Sequence, residues 1–69
     1  MPTGKVKWFN RNKGYGFIIN DENEREIFFH YKNIGDPMLR NTISDGQKVN
    51  FGIIKTEKGE NAINVKLIL

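Results

Sequence analysis

Lys13-Gly14-Tyr15-Gly16-Phe17-Ile18-Ile19-Asn20, followed after a polar break by Glu26-Ile27-Phe28-Phe29-His30-Tyr31, is the stretch on which the fold turns. Tyr15, Phe17 and Ile19 fall on one side of an extended chain and Gly16 and Ile18 on the other, the period-two pattern of a strand. Glu26 to Tyr31 is a second such run, and Asp21 to Glu24 between the two is polar enough to turn the chain. Upstream, Gly4 to Asn10 alternates Lys5, Lys7 and Phe9 against Val6 and Trp8, and Asn12-Lys13-Gly14 turns into the next strand. Downstream, Lys48 to Thr56 alternates Val49, Phe51 and Ile53 against Asn50 and Gly52, and Lys58-Gly59 leads to a last strand at Asn61 to Ile68. Between them Lys32 to Gln47 has turn residues and only scattered apolar ones, so it reads as a long connection with one helical turn.

Five strands and no convincing helix in 69 residues make one small all-β domain, 1–69, whose sheet must hide its edges. The compact solution is a closed or nearly closed five-stranded antiparallel barrel of the OB type. With no cysteine there is no disulfide or thiolate metal site to reinforce it, and no apolar run approaches the roughly 20 residues of a membrane span. The expectation is a soluble, cytoplasmic protein without cofactor, metal or small-molecule substrate. One His, one Ser and no Cys leave nothing from which to assemble a nucleophile with its base, so an enzyme is not expected.

The formal net charge is +3, and its distribution says more than its size. Lys5, Lys7, Arg11 and Lys13 occupy the first twenty residues with no acid among them, whereas Asp21 to Glu26 is acidic. Trp8, Phe9, Tyr15, Phe17, Phe28, Phe29 and Tyr31 are crowded into the same third of the chain, more large rings than a thin barrel encloses. If Ile18, Ile27 and Phe29 point inward, alternation turns Tyr15, Phe17, Phe28 and His30 outward beside Lys7 and Phe9. Aromatic faces edged by cations suit a single-stranded nucleic acid, whose bases stack for about 1–3 kcal/mol each while its phosphates meet lysines. Any one of these rings is equally well explained as half of a cross-strand core pair; Phe29 and Phe51 are read as core. Gly16, inside a strand, marks close approach of another backbone or a ligand, or else a bulge.

Gly4-Lys5-Val6-Lys7-Trp8-Phe9-Asn10, Lys13-Gly14-Tyr15-Gly16-Phe17-Ile18 and Ile27-Phe28-Phe29-His30-Tyr31 resemble the signature of the bacterial cold shock proteins and the related cold shock domain, the last two matching the family's ribonucleoprotein motifs. Asp45 to Phe51, Lys58-Gly59, Ala62 and Asn64-Val65 extend the likeness over almost the whole chain. The resemblance implies an OB-type barrel that binds single-stranded RNA and DNA, often pyrimidine-rich, and acts as an RNA chaperone that also affects transcription termination and translation. Carried over by position, Trp8, Tyr15, Phe17, Phe28, His30 and Tyr31 stack on bases, Lys7, Asn10 and Lys13 meet backbone or base edges, and Phe9 joins the same surface. Alternation alone puts Trp8 and Tyr31 inside; a bulge in the first strand and at the end of the third reconciles the two readings. The partner expected is single-stranded RNA or DNA bound by a monomer, with 32–47 as the hinge should strands exchange into a dimer.

The sequence departs from the family pattern where Lys32-Asn33-Ile34 and Met38-Leu39-Arg40 stand in place of the usual Ser-Ala-Ile and Gly-Phe-Lys, and where Glu60-Asn61 replaces Pro-Gln. One stacking aromatic is thereby lost; Met38 or Leu39 is left to press on a base, and Lys32 and Arg40 shift the balance towards phosphate. The rival class is a small SH3-like barrel that reads peptides, separable by the salt dependence of binding.

Overall fold

The computed structural model describes residues 2–68. Five strands, β1 (Thr3–Asn10), β2 (Tyr15–Asn20), β3 (Glu26–His30), β4 (Lys48–Thr56) and β5 (Gly59–Leu67), close into a barrel in the order β1-β2-β3-β5-β4. All neighbours are antiparallel except β3 and β5, which meet in parallel at Phe28 and Asn61. The expected OB-type barrel is therefore observed. Alternation fills it: Val6, Ile18, Ile27, Phe29, Val49 and Phe51 are buried, while Lys5 and Lys7 point to solvent.

Two irregularities interrupt the alternation. In β1, Val6 pairs with Ile18 but Trp8 with Phe17, leaving Lys7 as the extra residue of a bulge. The bulge reverses the parity of the remainder of the strand, so Trp8 comes out beside Phe17 and Phe9 goes in against Gly16 and Phe29. That corrects simple alternation, which had Trp8 inside and Phe9 outside. In β5, two residues separate the partners of Asn50 and Gly52, and Asn64 takes a left-handed φ of 51° that asparagine tolerates better than most residues. Ala62 and Val65 consequently both face the core, three positions apart.

The third strand ends at His30, one residue before the expected end, and Tyr31–Asn33 form a 3₁₀ turn. His30 caps that turn, its Nδ1 accepting from the Lys32 N–H at 3.2 Å and its own N–H donating to Asn33 Oδ1 at 3.3 Å. The same change of direction brings Tyr31 out of the inner position that alternation gave it, to 42% exposure.

The connection that read as a long loop with one helical turn holds a six-residue helix, α1 (Pro37–Thr42). The Asp36 side chain accepts from the Met38 N–H at 3.0 Å and Pro37 opens the first turn, the usual start of a helix. At the other end the Arg11 guanidinium donates to Ile43 O at 2.7 Å and to Arg40 O at 3.3 Å, satisfying carbonyls that a helix terminus leaves open. Ile34, Leu39 and Ile43 are buried with the strand residues in one cluster, so this segment plugs the barrel's end. Burial of Leu39 corrects the expectation that it is free to press on a base; Met38, 74% exposed, stays outside.

Candidate nucleic-acid interface

The bulge in β1 and the pairing of β2 with β3 assemble the aromatic surface. Phe17 is the cross-strand partner of Trp8 on one side and Phe28 on the other, with ring centroids at 5.3 Å and 5.8 Å. Tyr15 lies 5.8 Å from Trp8 and 5.5 Å from Phe28, closing a quadrilateral of four rings that are all half-buried. Adjacent rings meet tilted or edge-on, which secures each against its neighbours while leaving faces to solvent. His30, partner of Tyr15 across the strands, continues the surface, and its ring lies 4.8 Å from that of Tyr31. Six of the aromatic residues singled out in the sequence thus share one continuous face. Phe9 does not lie on it: the ring stacks on Phe29 at 5.5 Å and packs against the core, with an edge left in a neighbouring groove.

Glycines permit the close approaches that hold this face. A Cβ on Gly16 would collide with Trp8 O and sit 2.9 Å from Phe9 Cα, so among the alternatives left open it is the backbone of β1 that comes close. Gly14, at a φ of 75°, carries the Tyr31 ring; a Cβ there would sit 2.9 Å from Cδ1 of that ring. The Tyr31 N–H donates to Gly14 O at 2.8 Å, fastening the start of the 3₁₀ turn to the β1–β2 turn.

The polar candidates are spread around the rim. Lys7 Nζ lies 2.8 Å from Glu26 Oε1, both half exposed, so its charge is partly answered within the protein. Asn10 accepts the Lys13 N–H on Oδ1 at 3.0 Å and builds the turn that presents Lys13, whose side chain is exposed. Two hollows flank the rings. One of about 560 Å³ lies between the β1–β2 turn, Tyr31 and α1, and its charged lining is Arg11, Lys13 and Arg40. The other, about 510 Å³, lies between Phe17, Phe28 and the β4–β5 hairpin and includes Glu26, Lys58, Glu60 and Asn61. The sequence reading left that hairpin outside the site, because nothing in the Lys58-Gly59 turn says which face of the barrel it leans over.

The 'Cold-shock' DNA-binding domain family matches residues 2–68 of this chain. The chain belongs to the cold shock domain family. As such a domain it is nucleic-acid-binding. It is 41% identical over 68 residues to a probable cold shock protein A of Mycolicibacterium smegmatis, covering 99% of this chain and all of the relative. It is 43% identical over 63 residues to the cold shock-like protein CspG of Escherichia coli, covering 91% of this chain and 89% of the relative. Among solved structures, a Drosophila Unr chain with cold shock domains 4–6 superposes with a TM-score of 0.82 at 25% identity, over 99% of this cold shock domain and 26% of that longer chain. Among the described residues no helix is long and apolar enough to cross a membrane.

Proposed function

We propose that this cold shock domain binds single-stranded RNA and DNA by stacking successive bases on Trp8, Phe17, Phe28, Tyr15, His30 and Tyr31. The observation that carries the reading is the closed set of four outward rings continued by two more, a surface with several π-faces that, among the described residues, stands apart from the buried core cluster. Bases in a duplex are already stacked on one another, so the surface selects strands whose base faces are free. Lys7, Asn10 and Lys13 serve phosphates or base edges, and Phe9 supports the surface from beneath while its edge meets the groove. Pyrimidine-rich strands stack weakly on themselves and have flexible backbones, which supports a preference for them on a stacking surface. A protein that captures unpaired bases draws structured RNA towards its open form by mass action. The corresponding physiological role is that of an RNA chaperone of the cytoplasm, working as a monomer and influencing transcription and translation through the structures it removes.

The test is a hairpin RNA carrying a fluorophore and quencher at its ends, titrated with the protein and with Phe17→Ala/Phe28→Ala. Opening by the native protein and not by the double variant is the expected result. A hairpin that stays closed while the protein still binds oligo(dT) would remove the chaperone role and keep the binding site.

A further inference from the structure

The groove beside α1 is charged differently from the rest of the rim. Its lining holds three cations, Arg11, Lys13 and Arg40, and no carboxylate, whereas the hollow at the β4–β5 hairpin includes Glu26 and Glu60. Both salt bridges among the described residues, Lys7 with Glu26 and Lys48 with Asp21, lie elsewhere. The three cations of the groove have different tasks. Arg11 spends both terminal nitrogens on the carbonyls of Arg40 and Ile43, which fixes the end of α1 against the β1–β2 turn. Arg40 donates only from Nε, to Ile34 O at 3.3 Å, and its terminal nitrogens have no hydrogen-bond partner among the described residues. The guanidinium is therefore held by its inner edge with its outer fork unspent, across the groove from the exposed Lys13. Tyr31, the last ring of the aromatic face, forms part of the same wall.

We infer that this groove is a phosphate site for the bound strand: Arg40, positioned by Arg11 and joined by Lys13, holds the phosphodiester next to the nucleotide stacked on Tyr31, on its outgoing side. A planar guanidinium fork fits two phosphate oxygens at once, and an acid-free rim leaves the anion uncontested. The strand thus leaves the platform held by its backbone instead of by another base. Of the α1 side chains Met38 and Leu39, Leu39 is buried and Met38 has no ring, and the groove is lined from α1 by the polar Arg40 and Asn41. This assignment rests on the stacking function proposed above and adds to it which end of the footprint is held by the backbone and the chemistry there.

The experiment is a scan of oligo(dT) in which one linkage at a time is a neutral methylphosphonate, bound to the native protein and to Arg40→Ala. One linkage near one end is expected to cost the native protein about tenfold in affinity, the scale of a charge-assisted hydrogen bond, and to cost Arg40→Ala several-fold less, the remainder being the contact with Lys13. An abasic nucleotide beyond that linkage should bind as well as an intact one. The slope of log affinity against log salt should fall in Arg40→Ala by no more than about 0.7, since Lys13 shares the phosphate, and Arg40→Lys should keep the slope while losing part of the affinity. Methylphosphonate losses that are the same in both proteins at every linkage would overturn the assignment, as would an abasic loss at the groove end. An Arg40→Ala protein that loses its native near-ultraviolet circular dichroism is replaced in the scan by Arg40→Lys, for which the loss at that one linkage should shrink. Failure of the native protein to bind unmodified oligo(dT) would overturn the platform and this site with it, whereas intact binding with an unchanged scan overturns this site alone.

Discussion

Phe28 and Phe29 are neighbours in sequence and opposites in task. Phe28 stands in the outward ring set, and Phe29 is fully buried beneath Phe9. Removing the outer ring takes away a stacking surface but leaves no cavity, so Phe28→Ala and Phe17→Ala should each cost about 1–3 kcal/mol in affinity for an oligonucleotide. Phe29→Ala should instead cost about 3–5 kcal/mol in stability, read from denaturant unfolding. Unfolding of Phe28→Ala beside a stable Phe29→Ala would invert the assignment of faces. The rim cations also divide. Glu26 already answers Lys7, whereas Lys13 has no acid within salt-bridge distance among the described residues. Lys13→Ala should flatten the salt dependence by about 0.7 on a log scale, Lys7→Ala should flatten it less, and Glu26→Gln should tighten binding by releasing Lys7. Equal effects of Lys7→Ala and Lys13→Ala would show that the pair with Glu26 does not persist in solution.

Strands β1, β2 and β4 were legible in the sequence because each alternates, and the faces that were misread, those of Trp8 and Phe9 in β1 and of Tyr31 after β3, lie where alternation is locally broken. Trp8 and Phe9 exchange faces through one inserted residue, Lys7, and nothing in Lys5-Val6-Lys7-Trp8 distinguishes a bulged strand from a regular one. Resemblance to the family supplied the outward Trp8 that periodicity could not, but not the inward Phe9. The connection was read as holding one helical turn, but the place and extent of α1 were not legible because six residues are too few to display a helical period, and only Ile34, Leu39 and Ile43 of its surroundings reach the core. Its start was nonetheless written in Asp36-Pro37, a capping residue followed by a proline at the first turn. The segment is consequently a structural element, and Leu39→Ala should destabilise the domain by about 2–5 kcal/mol. A cost within about 0.5 kcal/mol, typical of an exposed surface position, would mean that α1 does not seal the barrel.

At the scale of the whole molecule, an acidic turn and a basic β1–β4 edge tie the barrel together on the side away from the rings. The Asp21 carboxylate accepts from Lys48 Nζ at 3.1 Å and from the Thr3 hydroxyl at 3.0 Å, joining the β2–β3 turn to β4 and β1. The Lys48 ammonium, and then the Thr3 hydroxyl, hold the Asp21 carboxyl below its ordinary value. A lowered native value means that the contribution to stability is complete above the unfolded carboxylate value of about 3.9 and disappears as pH falls through the native one. Asp21→Asn should therefore melt below the native protein at neutral pH, with the difference closing in strong acid. A gap that persists there would place the loss in packing instead of charge. Because this network lies away from the aromatic face, Asp21→Asn should leave oligonucleotide affinity unchanged.

The central claim is that the outward rings receive the bases of a single strand, and Trp8 is the sole tryptophan and a member of that set. Its fluorescence, titrated with a short oligo(dT) and in parallel with a duplex of the same length, tests the claim most directly. Saturable quenching by the single strand alone is the predicted result. Unchanged Trp8 emission in a folded sample, or equal quenching by the duplex, would contradict it.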